Sequence, residues 1–231
     1  MTTTPEVLDR LRALGTSSLV DAGGDLRVLP LDLRPVGRST RLVGRVVTAD
    51  AGADLMSVIA GLQACGPGDV LVVAAGGNER AVAGELFATE ALRRGVAGLV
   101  VDGRVRDVGV LAELDLPVFA RGVAPHAYPA GRVPRVQVSV TLGDVEVRSG
   151  DLLIGDADGL VVGSGDAVLA VLEGAERIEA REQRLRDAVS RGRSLFEAMN
   201  VDEHVAALRA GRDSRLSFRE LPTDGDGAGR S

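Results

Sequence analysis

The chain has 231 residues, a formal net charge of -6 and 45% hydrophobic residues, which is enough apolar material for one substantial core. Because only 2% of the residues are aromatic and the net charge is acidic, the composition argues against a base-stacking platform and a basic footprint for nucleic acid. All 27 basic residues are arginines, which excludes the usual forms of three lysine-dependent classes: Schiff-base aldolases, pyridoxal phosphate enzymes and phosphate-loop nucleotidases.

The first half of the sequence predicts helices and strands in alternation. Each prediction rests on the spacing of apolar residues, with glycines and prolines marking the turns between elements. In chain order they are helices over 6–14 and 16–22, a strand over 41–48, a helix over 54–64, a strand over 69–74, a glycine-bearing loop over 76–85, a helix over 86–94 and a strand over 96–101. Alternating strands and helices are typical of an α/β core, in which ligands bind after the carboxyl ends of strands.

The second half predicts short, β-branched strands separated by Gly and Asp, over 117–120, 136–142, 145–147, 151–153 and 159–162. Short strands with such turns favour a sheet that is partly antiparallel. A long helix follows over 166–191, with an apolar stripe at first and charged residues from Glu176 onward. We therefore expect an α/β fold with a mixed central sheet, flanking helices and a protruding C-terminal helix.

Composition also divides the chain into three segments. We expect a catalytic α/β core over 1–165 and a helical extension over 166–212 that packs on the core and on a partner subunit. The last segment, 213–231, ends in a Gly- and Asp-rich run without core-forming residues and predicts a flexible tail. No apolar run is long enough for a membrane span and the first residues lack a signal-peptide profile, so we expect a cytoplasmic protein.

The first candidate site follows the apolar run that ends at Val101. Asp102-Gly103 predicts a turn, and the residues over 105–114 predict a helix with Arg106 and Asp107 in its first turn. An arginine can bind a carboxylate through two hydrogen bonds, and an aspartate can hold a hard divalent cation. The pattern therefore favours an oxyacid substrate bound through a metal, although a helix start with an exposed ion pair explains the same residues equally well.

The second candidate site is the start of the helix predicted after Gly84. Backbone N–H groups at a helix start lack partners within the helix, so Gly84-Glu85-Leu86-Phe87 could receive a carboxylate. An ordinary helix start is the alternative. A glutamate, Glu85, beside such an anion site is better explained if a cation also lies nearby.

The residue types restrict which metal could bind. One cysteine and two histidines are too few for a cysteine- or histidine-ligated zinc centre, so oxygen ligands and Mg²⁺ or Mn²⁺ are expected.

The other candidate residues have structural explanations. We expect Cys65 to lie in the core, His126 to lie in a loop, and Glu182 to form an i,i+4 pair with Arg186. The Asp- and Gly-rich segment 155–159 predicts a hairpin turn and lacks the glutamate that a calcium loop requires.

Taken together, three motifs resemble the RraA-like family: Gly84-Glu85-Leu86-Phe87, Asp102-Gly103 followed by Arg106-Asp107, and Pro117-Val118-Phe119-Ala120. The resemblance runs from about Thr16 to Gly192 and implies a central sheet of the swivelling β/β/α type. The family contains class II pyruvate aldolases, which cleave 4-hydroxy-4-methyl-2-oxoglutarate or 4-carboxy-4-hydroxy-2-oxoadipate and also decarboxylate oxaloacetate. It also contains regulators that bind and inhibit a ribonuclease.

The resemblance implies a role for each residue of the two candidate sites. Asp107 would ligate the divalent metal, and Arg106 would hold the pyruvyl oxygens of the substrate. The backbone amides of Gly84, Glu85, Leu86 and Phe87 would receive its carboxylate, and the Glu85 side chain would contact a metal-bound water. Glu182 matches a glutamate that arrives from a neighbouring subunit, so the resemblance implies a homotrimer or hexamer.

We therefore expect a lyase that depends on Mg²⁺ or Mn²⁺ and cleaves or decarboxylates a small 2-oxo acid, without nucleic-acid or membrane partners. Two alternatives stay open: a non-catalytic regulator that binds a ribonuclease, and a metal-dependent enzyme of the same fold that acts on another oxyacid. The segment 193–200 departs from the Leu-Asp and Tyr-rich pattern of the aldolases, which leaves the choice of 2-oxo acid open.

Overall fold

The computed structural model describes residues 4–76 and 79–219. The chain divides into two compact units, Met1–Glu176 and Arg177–Ser231. The α-helices in these residues are α1 Pro5–Arg12, α2 Thr16–Asp21, α3 Met56–Ala64, α4 Glu85–Arg93, α5 Val108–Leu111, α6 Gly165–Ser190 and α7 Val201–Arg209. Among the described residues, no helix combines the length and the apolar character needed to cross a lipid bilayer.

Eleven strands are present in the described part of the chain. They are β1 Arg27–Val28, β2 Arg34–Pro35, β3 Leu42–Asp50, β4 Asp69–Ala74, β5 Ala81–Ala83, β6 Gly98–Val105, β7 Val118–Val123, β8 Val140–Leu142, β9 Val145–Val147, β10 Leu152–Gly155 and β11 Leu160–Gly163. β5 lies inside the stretch over 76–85 that the sequence predicts as a loop, of which residues 77–78 lie outside the described residues.

The main sheet has the order β1-β11-β10-β3-β4-β6-β7-β2, with β5 paired to β6. The neighbours β3, β4, β6 and β7 run parallel, and β5 is parallel to β6. The strands β10, β11, β1 and β2 pair antiparallel with their neighbours. The predicted α/β fold with a mixed central sheet and flanking helices is therefore confirmed.

Apolar side chains cover both faces of this sheet, because successive residues of a buried parallel strand point to opposite faces. On β4, Leu71 and Val73 pack with α3 and α4, whereas Val70 and Val72 pack against the β8–β9 hairpin. A third cluster joins α1, α2 and the start of α6. The helices thus leave the carboxyl ends of the parallel strands free to carry polar residues.

The prediction of a turn at Asp102-Gly103 is wrong, because β6 continues through both residues to Val105. Asp102 is only 4% exposed and forms an ion pair with Arg121 on β7. Gly103 lies against Ala75, where a Cβ would be 2.7 Å from the alanine Cβ. These long-range contacts hold the dipeptide in the strand, and the register with β7 shifts between Val101 and Arg104. The helix predicted over 105–114 is consequently a single turn, α5.

Two other structural predictions are confirmed. The strands β10 and β11 form an antiparallel hairpin around residues 155–159, with Gly155 opposite Leu160. Asp156 in its turn accepts hydrogen bonds from the Thr16 N–H and hydroxyl, both at 2.7 Å, and so caps α2 from a distance. Cys65 is buried, and burial raises the pKa of its thiol to about 12, which keeps it protonated and unreactive.

The second unit contains the end of α6, a 3-10 helix Leu195–Ala198 and α7. Asn200 connects this unit internally, since its side chain accepts from the Ser217 N–H at 2.7 Å and donates to the Arg215 carbonyl at 3.1 Å. Residues 213–219 of the predicted tail therefore make specific contacts, and residues 220–231 lie outside the described residues. The expected segment boundaries at 165 and 212 stay predictions.

Candidate functional site

A small cleft of about 60 Å³ lies where β5 and β6 end. Its polar lining comes from Gly84, which follows β5, and from Arg106 and Asp107, which follow β6. Because β5 and β6 are parallel neighbours, their carboxyl ends meet at one edge and bring these residues together. The remaining lining is apolar and includes Leu55 and Ala127.

Because Gly84 has no side chain, the side chains of Asp107 and Arg106 can lie against its backbone. A Cβ built on Gly84 would lie 2.5 Å from Asp107 Oδ2 and 2.8 Å from Arg106 Cγ, both closer than real side-chain atoms approach. The backbone of Gly84 is extended, so the restriction comes from space and not from its backbone conformation. The Arg106 N–H donates to the Ala83 carbonyl at 3.0 Å and fixes the two chain segments side by side.

Asp107 joins the strand end to the helix start. Its backbone is left-handed (φ 59°, ψ 37°), which turns the chain from β6 into α5. Its Oδ2 accepts the Glu85 N–H at 3.2 Å and lies 3.4 Å from Arg106 Nε. In the described part of the chain Oδ1 makes no hydrogen bond, and the side chain is 40% exposed. Oδ2 is therefore held in place by a hydrogen bond, and the side chain remains partly open to solvent.

The N-terminus of α4 supplies anion-binding groups beside this carboxylate. The Ala88 N–H is bonded to the Gly84 carbonyl, whereas no hydrogen bond among the described residues uses the amides of Leu86 and Phe87. Free amides at the positive end of a helix dipole attract a carboxylate. The Arg106 side chain, 43% exposed, adds the full positive charge of its guanidinium at the same edge.

The donor groups of the cleft restrict which metal it could hold. The described residues contain no group of three or more His, Cys, Asp or Glu side chains arranged to hold a metal ion. This arrangement does not fit zinc, which needs three or four protein ligands. A single exposed carboxylate fits Mg²⁺, which keeps several waters and binds through one or two carboxylates together with a substrate. Asp107 is therefore the residue that could hold such a cation.

The two predicted glutamates lie in different units. Glu85 is the first residue of α4 and contributes its N–H to Asp107, and contact of its carboxylate with a metal-bound water stays a prediction. Glu182 lies on α6 in the second unit, where it forms the expected i,i+4 pair with Arg186 at 3.5 Å. Its arrival at a neighbouring subunit's site also stays a prediction.

Sequence reasoning missed the loop over 124–135, which forms one wall of the cleft. The Ala81 N–H donates to the His126 carbonyl at 2.7 Å and the Tyr128 N–H donates to the Ala81 carbonyl at 3.1 Å. These two bonds place Ala127, between them, at the cleft. The pattern of prolines and small residues in this loop carries no local signal of such a contact.

Asp54 anchors the same loop and was also missed. Its carboxylate is 3% exposed and accepts the N–H groups of Met56 and Gly131, each at 2.8 Å, and of Arg132 at 3.2 Å. These backbone hydrogen bonds, that of Met56 foremost, lower the pKa of Asp54 below its ordinary value. The carboxylate therefore stays charged and ties the loop to the start of α3.

Comparison with known proteins gives two informative matches in sequence. The model of the RraA-like family, described as Aldolase/RraA, matches residues 4–162. A protein of Halalkalibacterium halodurans named "Putative 4-hydroxy-4-methyl-2-oxoglutarate aldolase" is 32% identical over 200 residues, which cover 84% of this chain and 95% of that protein.

Two solved structures share the fold. The RNA-processing inhibitor RraA from Thermus thermophilis is 34% identical with a TM-score of 0.61, over 65% of this chain and 95% of its own. Streptomyces coelicolor RraAS2, described as an unusual member of the RNase ES inhibitor RraA protein family, is 27% identical with a TM-score of 0.69. That match covers 82% of this chain and 98% of RraAS2.

Proposed function

The chain belongs to the RraA-like family, and from this we propose that it is a divalent-metal-dependent lyase that cleaves or decarboxylates a small 2-oxo acid. The observation that supports the proposal most is the meeting of Gly84, Arg106 and Asp107 at one cleft. The preferred substrate is 4-hydroxy-4-methyl-2-oxoglutarate, the acid in the name of the Halalkalibacterium relative, with oxaloacetate as a decarboxylation substrate.

Substrate binding would use the groups on both sides of Gly84. The amides of Leu86 and Phe87 would receive the substrate carboxylate, because they lie at the positive end of α4. Arg106 would donate hydrogen bonds to the pyruvyl oxygens, and Asp107 would hold Mg²⁺ or Mn²⁺. When bound, the cation would supply Lewis acidity to the carboxylate and keto oxygens of the substrate.

Bond cleavage places negative charge on the substrate's keto oxygen. As the C3–C4 bond breaks, or as carbon dioxide leaves oxaloacetate, its electron pair moves toward that oxygen, where the Arg106 guanidinium would stabilise it. The chain has no lysine that could form a Schiff base instead. In the retro-aldol reaction the proton of the C4 hydroxyl would pass to a water oriented by Glu85 and by Glu182 of a neighbouring subunit. In both reactions C3 of the resulting enolate would take up a proton from water, which gives pyruvate.

The site would be complete only in an oligomer, because the family resemblance implies that Glu182 of another copy belongs to it. We assign the protein to a homotrimer or a hexamer of two trimers, as the family resemblance implies. Light scattering of the purified protein tests this assignment, and a monomer at working concentration would contradict the role given to Glu182.

The central test removes the charge of Asp107 without changing its shape. Asp107→Asn is expected to lower Mg²⁺-dependent pyruvate release from oxaloacetate by roughly 100-fold or more, the scale of losing one electrostatic contact to the transition state. Turnover is measured by coupled detection of pyruvate, and Mn²⁺ binding by electron paramagnetic resonance gives a second readout. Removing the metal from the wild-type protein with a chelator should abolish turnover, and added Mg²⁺ should restore it.

The matched control is Asp115→Asn, which changes an exposed aspartate just after α5 that does not line the cleft. It should leave both turnover and Mn²⁺ binding within about twofold of the wild type, the range expected of a surface change. Unchanged turnover in Asp107→Asn would remove this residue from the mechanism.

A ribonuclease-binding regulator is the second candidate, favoured by the two solved structures named as RraA inhibitors. The match to RraAS2 covers 82% of the chain, which is more than the length of the first unit. A regulator would bind and inhibit a ribonuclease equally well with and without a chelator.

The third possibility is an enzyme of the same fold that acts on another substrate. If pyruvate release is absent, a panel of other oxyacids with Mg²⁺ tests it.

A further inference from the structure

We propose that the loop over 124–135 selects which 2-oxo acids fit the cleft, with Ala127 as the specificity-determining residue. The inference rests on the proposed function, because it assumes that Arg106 and a cation held by Asp107 bind the pyruvyl end of the substrate. Ala127 is half-buried and lines the same cleft as these two residues.

The strand β5 connects the loop with the charged groups of the site. Its first residue, Ala81, exchanges hydrogen bonds with the loop on both sides of Ala127, and its last residue, Ala83, accepts the Arg106 N–H. Two residues of strand span about 7 Å. An acid bound at Arg106 and extended along β5 would therefore bring its far carbon atoms to Ala127.

The wall at that position is apolar and small. Leu55 and Phe87 line the cleft together with Ala127, and the β5 residues beside them are alanine and valine. A methyl group, such as the one on C4 of 4-hydroxy-4-methyl-2-oxoglutarate, fits such a surface. A charged group would lose its hydration without gaining a partner there, so the second carboxylate of that acid would have to face solvent. The cleft therefore favours 2-oxo acids that carry a short aliphatic branch at the carbon far from the keto group.

The loop is held firmly enough to act as a size limit. Asp54 accepts the Gly131 and Arg132 N–H groups, and the Leu55 N–H donates to the Pro129 carbonyl at 2.9 Å. The Arg135 N–H donates to the Ser57 hydroxyl at 3.0 Å. Because the loop is bonded to β5 on one side and to the start of α3 on the other, a larger side chain at 127 cannot be accommodated by moving the backbone away.

The test compares Ala127→Leu with Ala130→Leu, which makes the same substitution at an exposed position of the same loop. Binding of two acids to the Mg²⁺-loaded protein is measured by calorimetry: oxalate, which occupies only the charged end, and 4-methyl-2-oxopentanoate, which carries an aliphatic branch and cannot undergo retro-aldol cleavage. Ala127→Leu should weaken 4-methyl-2-oxopentanoate at least roughly 10-fold more than oxalate, the scale of steric discrimination in an apolar pocket. Ala130→Leu should change neither acid by more than about twofold.

Each outcome decides the inference. Equal effects of Ala127→Leu on the two acids, or no effect on either, would overturn it, and so would a wild-type protein that binds oxalate but not 4-methyl-2-oxopentanoate. If Ala127→Leu fails to fold, Ala127→Val is used and must change the ratio in the same direction. A wild-type protein that binds both acids but releases pyruvate from neither oxaloacetate nor 4-hydroxy-4-methyl-2-oxoglutarate contradicts the proposed function alone, whereas one that binds neither acid contradicts both proposals.

Discussion

Gly84 and Asp107 depend on each other at the level of single atoms. The carboxylate occupies the space in which any other residue at 84 would place its Cβ. The Glu85 N–H then holds that carboxylate in position at the start of α4. A residue without a side chain thereby determines where the charged group of the site lies.

Gly84→Ala is accordingly expected to displace Asp107 and to lower pyruvate release by roughly 100-fold, the effect of shifting a reacting group by about 1 Å. The control is Gly109→Ala, since a Cβ on Gly109 meets nothing within 4 Å. Coupled pyruvate detection measures the effect, and circular dichroism shows whether both variants fold. A Gly84→Ala protein with wild-type turnover would show that the contact is not needed.

At the scale of the secondary-structure elements, the long helices and strands could be predicted because their apolar spacing is local. The predicted strand over 69–74 matches β4, and the helix predicted over 86–94 matches α4 within one residue at each end. β5 could not be predicted, since Ala81–Ala83 is too short and alanine-rich to signal a strand without its partner β6. Asp102-Gly103 was misassigned because its ion pair with Arg121 is distant in sequence.

The candidate site, too, could be predicted from the sequence only where the signal is local. Arg106, Asp107 and the start of α4 could be singled out because strand ends and helix starts have recognisable residues. Their meeting depends on the pairing of β5 with β6, and the opposite wall depends on Asp54 and the loop over 124–135. Neither contact produces a recognisable pattern in the neighbouring sequence, so neither could be predicted from it.

Asp54→Asn tests how this loop is anchored. An amide has only one acceptor oxygen, so at least one of the buried N–H groups now bonded to Asp54 loses its partner. We expect the unfolding temperature to fall by roughly 2–8 °C. We also expect the KM for the 2-oxo acid to rise by a larger factor than kcat falls, because the cleft wall loosens.

Asp69→Asn is the matched control for this prediction. Asp69 is also buried and accepts a backbone N–H, that of Gly66 at 2.8 Å, but it begins β4 and so lies at the amino end of the parallel strands. It should lower the unfolding temperature without changing KM. If both variants change KM equally, Asp54 has no special role at the cleft.

For the whole molecule, charge pairing predicts how stability depends on pH. Hydrogen bonds lower the pKa of Asp54 through the backbone and those of four glutamates through arginine side chains, namely Glu90 with Arg93, Glu146 with Arg148, Glu176 with Arg10 and Glu203 with Arg219. A group whose pKa is lower in the folded state stabilises the fold above its unfolded pKa. That contribution is lost as the pH falls through the folded value.

The unfolded reference values are 3.8 for Asp54 and 4.5 for the glutamates. The urea midpoint of unfolding should therefore stay nearly constant from pH 7 to about pH 5 and decrease between about pH 5 and pH 3. Added salt should reduce part of this change, because most of these pairs are exposed to solvent. A midpoint that rises or stays level over the acidic range would contradict the prediction.

The left-handed backbone of Asp107 has a consequence for engineering and for natural variation. Glycine adopts this conformation at less cost than an aspartate does. A selection for thermal tolerance alone would therefore favour glycine here and discard the carboxylate in a variant that keeps its architecture. Under the proposed function, thermal stability and activity therefore compete at this one position, and members of the fold with glycine there should be thermally stable proteins without metal-dependent turnover.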